Sequence, residues 1–205
     1  VGAALKLVPG LEATCTKYGF RSGYLWATAR HVRALDLFAR KNVPGAEAIW
    51  AELVEAQRKE KHVLLARSLN YLGICADLRG NAAAAEALLK EAREFQAEPR
   101  RCPPVTRAIT LWWLAILKHK AGDKVEAKKL LNEVFDVNTF GEAAQRAQYF
   151  AQFALAFDLL ATWCADDGDA LLRTAVRSRS RTLLDQMLAT GVDPRDRLTG
   201  EAGAA

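Results

Sequence analysis

The residues that most often carry chemistry are scarce in this chain and widely scattered. Three histidines, His31, His62 and His119, and four cysteines, Cys15, Cys75, Cys102 and Cys164, include no C-x-x-C pair, which excludes the usual zinc-ribbon and dithiol redox spacings. Serine occurs only at 22, 68, 178 and 180, never in a G-x-S-x-G elbow. A G-x-x-x-x-G-K-[ST] phosphate loop, a G-x-G-x-x-G turn and an H-E-x-x-H pair are missing as well. No catalytic residue, metal or cofactor is therefore expected, and the cysteines read as reduced, partly buried thiols. Long apolar runs are also lacking: the longest spans Leu111 to Leu117, against the roughly 20 residues a membrane helix needs. The opening VGAALKLVPG has neither the basic start nor the long apolar core of a secretory signal. A cytoplasmic location without membrane insertion is the expectation, and oligomeric state is left open.

Strand signals are as scarce as catalytic ones, with no sustained period-two alternation and no Asn-Gly hairpin. What the chain has instead is alanine, leucine and charge in helical rhythm, with 51% hydrophobic and 26% charged residues in a length of 205. From Ser22 to Lys41 apolar residues recur at Leu25, Ala29, Val32, Leu35 and Phe38, until Asn42-Val43-Pro44-Gly45 breaks the run. Ala46 to Lys61, Leu64 to Leu78, Ala82 to Phe95, Val105 to Lys120 and Lys124 to Phe135 continue the pattern. A last pair is expected from Glu142 to Ala165 and from Ala170 to Ala189. The turns between them supply Gly80-Asn81, Gly122-Asp123 and Gly168-Asp169, a glycine able to end one helix in the left-handed conformation and a polar residue able to cap the next.

Internal repetition organises these helices. Sliding the chain by 42 residues lays Gly73 on Ala115, Gly80 on Gly122, Ala85 on Ala127 and Leu89 on Leu131, a period characteristic of stacked helix pairs that bury nothing alone. The stretch 69-LNYLGICADLRGNAAAAEALLKEA-92 resembles a tetratricopeptide repeat. Gly73, Ala85 and Ala92 match that family's small positions and Leu69, Leu72 and Leu89 its bulky ones. The 111–134 unit is similar, with Ala115 for the first glycine and Val134 for the last small residue. The repeat exceeds the family's usual length of about 34 residues.

The resemblance implies an all-α fold: a right-handed superhelix of about four antiparallel helix pairs (22–61, 62–97, 103–137 and 140–190). These form a single domain over 1–199, with a short N-terminal helix beginning near Pro9 and a flexible tail at 200–205. It also implies a concave groove lined by the first helix of each pair. On the first helices of the two central pairs this selects Arg67, Asn70, Tyr71, Ile74, Trp112, Trp113, Ile116 and His119. Ile74 and Ile116 stand where a carboxylate clamp would want polar groups, so an apolar or aromatic groove is expected, with Arg67, Asn70 and His119 orienting a bound peptide or helix. Trp112 and Trp113 point about 100° apart. Trp112 is expected to face a partner and Trp113 to pack on the next repeat.

A non-enzymatic protein-interaction module is thus the first functional expectation. A second is the helical-repeat sensor part of a larger bacterial regulator or signalling protein. The third draws on the net charge of +5: Arg173, Arg177 and Arg181 would share one helical face able to meet nucleic-acid phosphates, though no aromatics interleave for base stacking. The cluster Asp166, Asp167, Asp169 lacks the alternating ligands and distal Glu of a calcium loop and reads as a solvated turn.

Overall fold

A computed structural model describes residues 2–20, 23–98, 102–136, 148–149 and 151–175. Among the described residues the regular structure is helical throughout, with no strand. In chain order the helices are α1 (Gly2–Lys17), α2 (Tyr24–Ala39), α3 (Val43–Glu60), α4 (Leu65–Leu78), α5 (Ala82–Phe95), α6 (Pro104–Lys120), α7 (Lys124–Asp136) and α8 (Ala154–Trp163). A further helical segment covers 168–175. The expected tail at 200–205 and much of the expected fourth pair lie outside the described residues.

The turns are made as their residues dictate. Gly80 and Gly122 take φ of 79° and 86°, a left-handed conformation that a Cβ disfavours. Directly after them Asn81 Oδ1 accepts from the Ala84 amide at 3.1 Å and Asp123 Oδ1 from the Glu126 amide at 3.1 Å. Asn42 does the same for Gly45 at 3.0 Å. The Val43-Pro44 step expected to interrupt the chain is therefore the first turn of α3, where a proline has no amide bond to lose.

Two expectations about helix limits are corrected. The N-terminal helix begins at Gly2 and contains Pro9 instead of starting there, because Val8 and Cys15, seven residues apart on one face, are both buried and α1 packs on α2. Burial of that stripe outweighs the backbone bond that proline removes. The run expected to be continuous from Glu142 to Ala165 is interrupted at Phe153, which is non-helical and 1% exposed. Its ring packs on Tyr149 and Trp112, so the chain turns around an anchored side chain.

Consecutive helices pack on one another from α1 to α7, and α4 touches α6 as well as α5. Within the α4–α5 hairpin a Cβ on Gly73 would stand 3.1 Å from Leu89 Cγ and 3.3 Å from the Ala85 carbonyl oxygen. The small residue is what lets the two backbones approach. Successive pairs are joined on two levels. First helices meet through Asn70, whose Nδ2 donates to the Thr106 carbonyl at 3.0 Å and whose Oδ1 accepts from the Thr110 hydroxyl at 2.8 Å. Second helices are bridged by Arg58–Glu91 and Arg93–Glu133. The buried core falls into three clusters along the chain, one with Trp50 and Leu53, one with Leu69 and Ala92, and one with Leu111, Leu131 and Phe135, bridged by the partly buried Leu72 and Leu88.

Candidate functional site

The eight residues selected from the sequence fall into two sets when their contacts are followed. A 42-residue shift pairs Arg67 with Ile109, Asn70 with Trp112, Tyr71 with Trp113, Ile74 with Ile116 and Asp77 with His119. Of the eight, Asn70, Trp112 and His119 face the following elements, and Asp77, which was not among them, does so too. Asn70 reaches α6 as described, and the Asp77 carboxylate accepts from Lys120 Nζ at 2.7 Å. Trp112 meets Phe153 edge-on at 5.9 Å, and His119 lies flat on Trp163 at 4.2 Å and 4°. These side chains join one pair to the next.

Asn70 is 1% exposed with both its amide nitrogen and its amide oxygen hydrogen-bonded to α6, so it is held away from any bound peptide. The polar network continues from it, since Gln96 Nε2 donates to the Thr110 hydroxyl oxygen at 2.9 Å. Trp112 makes a ring contact to the segment that follows, and both tryptophans are partly buried against the same core. On α6, Thr106, Thr110, Trp113 and Lys120 recur at four-, three- and seven-residue intervals, and the other three have partners on α4, which puts Trp113 on the side toward α4.

The second set runs as a strip between these contacts. On α4 it comprises Arg67, Tyr71 and Ile74, extended by Val63 before the helix and Leu78 at its end, and on α6 it comprises Ile109, Trp113 and Ile116. Ile74 is buried at 6% exposure, whereas Val63 and Leu78 expose 42% and 56%. Arg67, Tyr71, Trp113 and Ile116 are partly buried. Val63 and Leu78 were not picked out from the sequence, although their spacing from Arg67 and Tyr71 is helical and marks the same side.

Tyr71 is firmly held. One face stacks on Trp50 at 4.8 Å and 18°, and His31 meets it edge-on at 5.0 Å. Trp50 Nε1 donates to His31 Nδ1 at 3.1 Å. Burial, with the Arg67 charge adding to it, lowers the His31 pKa from 6.5 to about 3, so the ring is neutral near pH 7. Arg67 stands beside this cluster without an acidic partner among the described residues, unlike Arg58, Arg79 and Arg93, which pair with Glu91, Glu47 and Glu133. A cation next to half-covered aromatic and aliphatic groups is suited to hold an acidic group on an otherwise apolar ligand.

Other chemistries find less support here. Among the described residues no group of three or more His, Cys, Asp and Glu is placed to hold a metal ion, and no helix is long and apolar enough to cross a membrane. Asp167 caps the helical segment 168–175, its Oδ1 accepting from the Ala170 amide at 3.0 Å. Of the arginine stripe only Arg173 is described, and it is exposed. Arg177 and Arg181 lie outside the described residues. The geometry defines an all-α protein of packed helix hairpins. No protein-family model matches the chain, and no match is found among curated proteins.

Proposed function

We propose that this protein is a non-enzymatic interaction module, a right-handed superhelix of tetratricopeptide-like pairs that holds a peptide or helix of a partner protein on its concave side. The observation that carries this reading is the strip Val63, Arg67, Tyr71, Trp113 and Ile116. It joins an arginine without an acidic partner among the described residues to partly exposed aromatic and aliphatic groups, on first helices that touch each other. Large rigid aromatics and arginine are the side chains most often found to dominate binding energies at interfaces. Orientation then comes from Arg67, with Tyr71 held rigid by Trp50 beneath it, so little conformational freedom is lost when a partner docks. Asn70 and His119, first chosen as orienting groups, serve instead to fix the spacing of the pairs that present the strip.

The test is capture from lysate of the source cells by the immobilised 205-residue chain, compared with the variants Arg67→Glu and Trp113→Ala. Both variants are expected to lose the specifically captured protein by about tenfold or more, the loss typical of a binding hot spot, while Arg67→Glu melts within a few degrees of wild type. Trp112→Ala is expected to behave oppositely, destabilising the fold by roughly 2–4 kcal/mol through loss of its Phe153 contact. Equal capture by wild type and Arg67→Glu would remove the strip from consideration.

A further inference from the structure

The repeat register reaches one helix pair further back than the strip. Sliding α2 and α3 by 39 residues lays Ala34 on Gly73, Ala46 on Ala85 and Gln57 on Gln96, and all six of these positions are buried. The same shift lays Tyr24 on Val63, Thr28 on Arg67 and Val32 on Tyr71. Ring contacts join α2 to the start of α4 at these places, since Tyr24 lies 6.3 Å from His62 and His31 meets Tyr71 edge-on. Tyr24, Val63 and Leu78 are 57%, 42% and 56% exposed, so large apolar side chains reach solvent on α2 as well as beside α4.

Charge is divided unevenly between the two kinds of helix. The first helices α2, α4 and α6 carry six basic and two acidic residues in their sequences, the second helices α3, α5 and α7 seven basic and ten acidic. Both acidic residues of the first helices are already engaged, Asp36 with Arg40 and Asp77 with Lys120. At the position of Arg67 the neighbouring first helices carry Thr28 and Ile109, which are uncharged. Arg67 is therefore a partly buried cation amid neutral side chains, without an acidic partner among the described residues. Burial strips part of the water from a guanidinium, and a carboxylate restores the lost interaction through two parallel hydrogen bonds. The first helices have no carboxylate to spare for it.

Building on the partner-binding reading above, we infer that the strip spans α2, α4 and α6 and takes a peptide segment of another protein in which an Asp or Glu is flanked on both sides by aromatic or aliphatic residues. The carboxylate meets Arg67, and the apolar residues lie on Tyr24 and Val63 to one side and on Trp113 and Ile116 to the other. Packed helices lie about 10 Å apart, so a segment crossing all three covers roughly 20 Å, about six residues in extended form.

The test is selection from a random-peptide display library on the immobilised 205-residue chain. Peptides whose retention depends on Trp113, judged against Trp113→Ala, are expected to be enriched in Asp and Glu, together with aromatic residues and leucine, over the starting library. For the tightest of them, fluorescence anisotropy with the unmutated protein should show that changing its acidic residue to the matching amide raises Kd by about tenfold. Arg67→Gln should raise Kd by a similar factor for the acidic peptide and cost nothing further for the amide peptide, a pattern that loss of folding does not produce. Tyr24→Ala, at an exposed position, should weaken binding several-fold with an unchanged melting temperature. Trp113-dependent peptides without acidic enrichment would overturn the inference and leave the partner-binding reading standing. Peptides retained equally by Trp113→Ala and Arg67→Gln, or no binders at all, would overturn both. Additive losses from Arg67→Gln and the amide peptide, or an unchanged Kd in Tyr24→Ala, count against the inference alone. So does self-association of the free chain, abolished by Arg67→Gln in sedimentation equilibrium, because the occupant is then a second copy.

Discussion

His31 sits at the meeting of α2, α3 and α4, and its protonation is decided by its neighbours. An indole N–H only donates, so the bond from Trp50 requires an unprotonated Nδ1 and leaves the neutral ring's hydrogen on Nε2. Nε2 is itself buried and finds no partner among the described residues. Charging the ring would bury a cation, with the Arg67 charge opposing it further, which is why its pKa is lowered to about 3; it would also break the Trp50 bond. The unfolded chain takes up a proton at this residue near pH 6.5, while the folded chain resists until about pH 3. Between these values the unfolded state holds more protons, so stability falls as pH falls, by up to about 1.4 kcal/mol per unit. From pH 7 to pH 5 the loss attributable to His31 is expected to be about 2 kcal/mol. Urea unfolding at the two pH values measures it, and His31→Gln, which keeps an acceptor for Trp50 and cannot titrate, should lack that part of the loss. An undiminished pH dependence in His31→Gln would mean that other groups carry it.

At the scale of single elements, most boundaries rest on short-range chemistry that can be read directly from the residues. Helix α5 runs from Ala82 to Phe95, the limits expected from its alanine-leucine spacing and from Gly80-Asn81 before it. The cap bond from the Ala84 amide to Asn81 satisfies one of the donors that a helix start leaves open. Asn81→Ala is therefore expected to cost about 1 kcal/mol in urea unfolding and Asn81→Asp much less; equal losses would assign the effect to something other than the cap. Where local rules misled, tertiary packing was the cause. Pro9 marks a helix start by local preference, yet α1 passes through it because Val8 and Cys15 are buried together. Phe153 fits a helical run by spacing, yet the helix breaks there around a ring fixed by Trp112 and Tyr149.

For the whole molecule the question is what holds one helix pair to the next. The bridges Arg58–Glu91 and Arg93–Glu133 are largely solvent-exposed, and such pairs contribute about 0–1 kcal/mol each. Buried contacts decide the matter: the Asn70, Thr110 and Gln96 network spans α4, α5 and α6 with Asn70 and Thr110 at 1% and 0% exposure. Losing one partner strands the other inside, so Asn70→Ala is expected to destabilise by roughly 2–4 kcal/mol. Because Thr110→Val removes the same bond, the two effects should not add: a double-mutant cycle should give a coupling of about 0.5 kcal/mol or more. Additivity within about 0.3 kcal/mol would show that the network does not act as a unit. Helix pairs that touch only their neighbours depend on each such junction for cooperative unfolding.

The sequence by itself determined the helical class, nearly all helix limits between residues 64 and 136, and the close approach at Gly73. Each of these depends on local factors: hydrophobic period, capping residues, and the absence of a Cβ where two backbones meet. Only the tertiary structure decided which sides of α4 and α6 meet which neighbouring helices. The rotation of a helix about its axis is set by contacts to several neighbours at once, and one residue step changes the direction of a side chain by about 100°. That step separates Asn70 from Tyr71 and Trp112 from Trp113. Asn70 and Trp112 make contacts with the elements that follow, whereas Tyr71 stacks on Trp50 and Trp113 is partly buried.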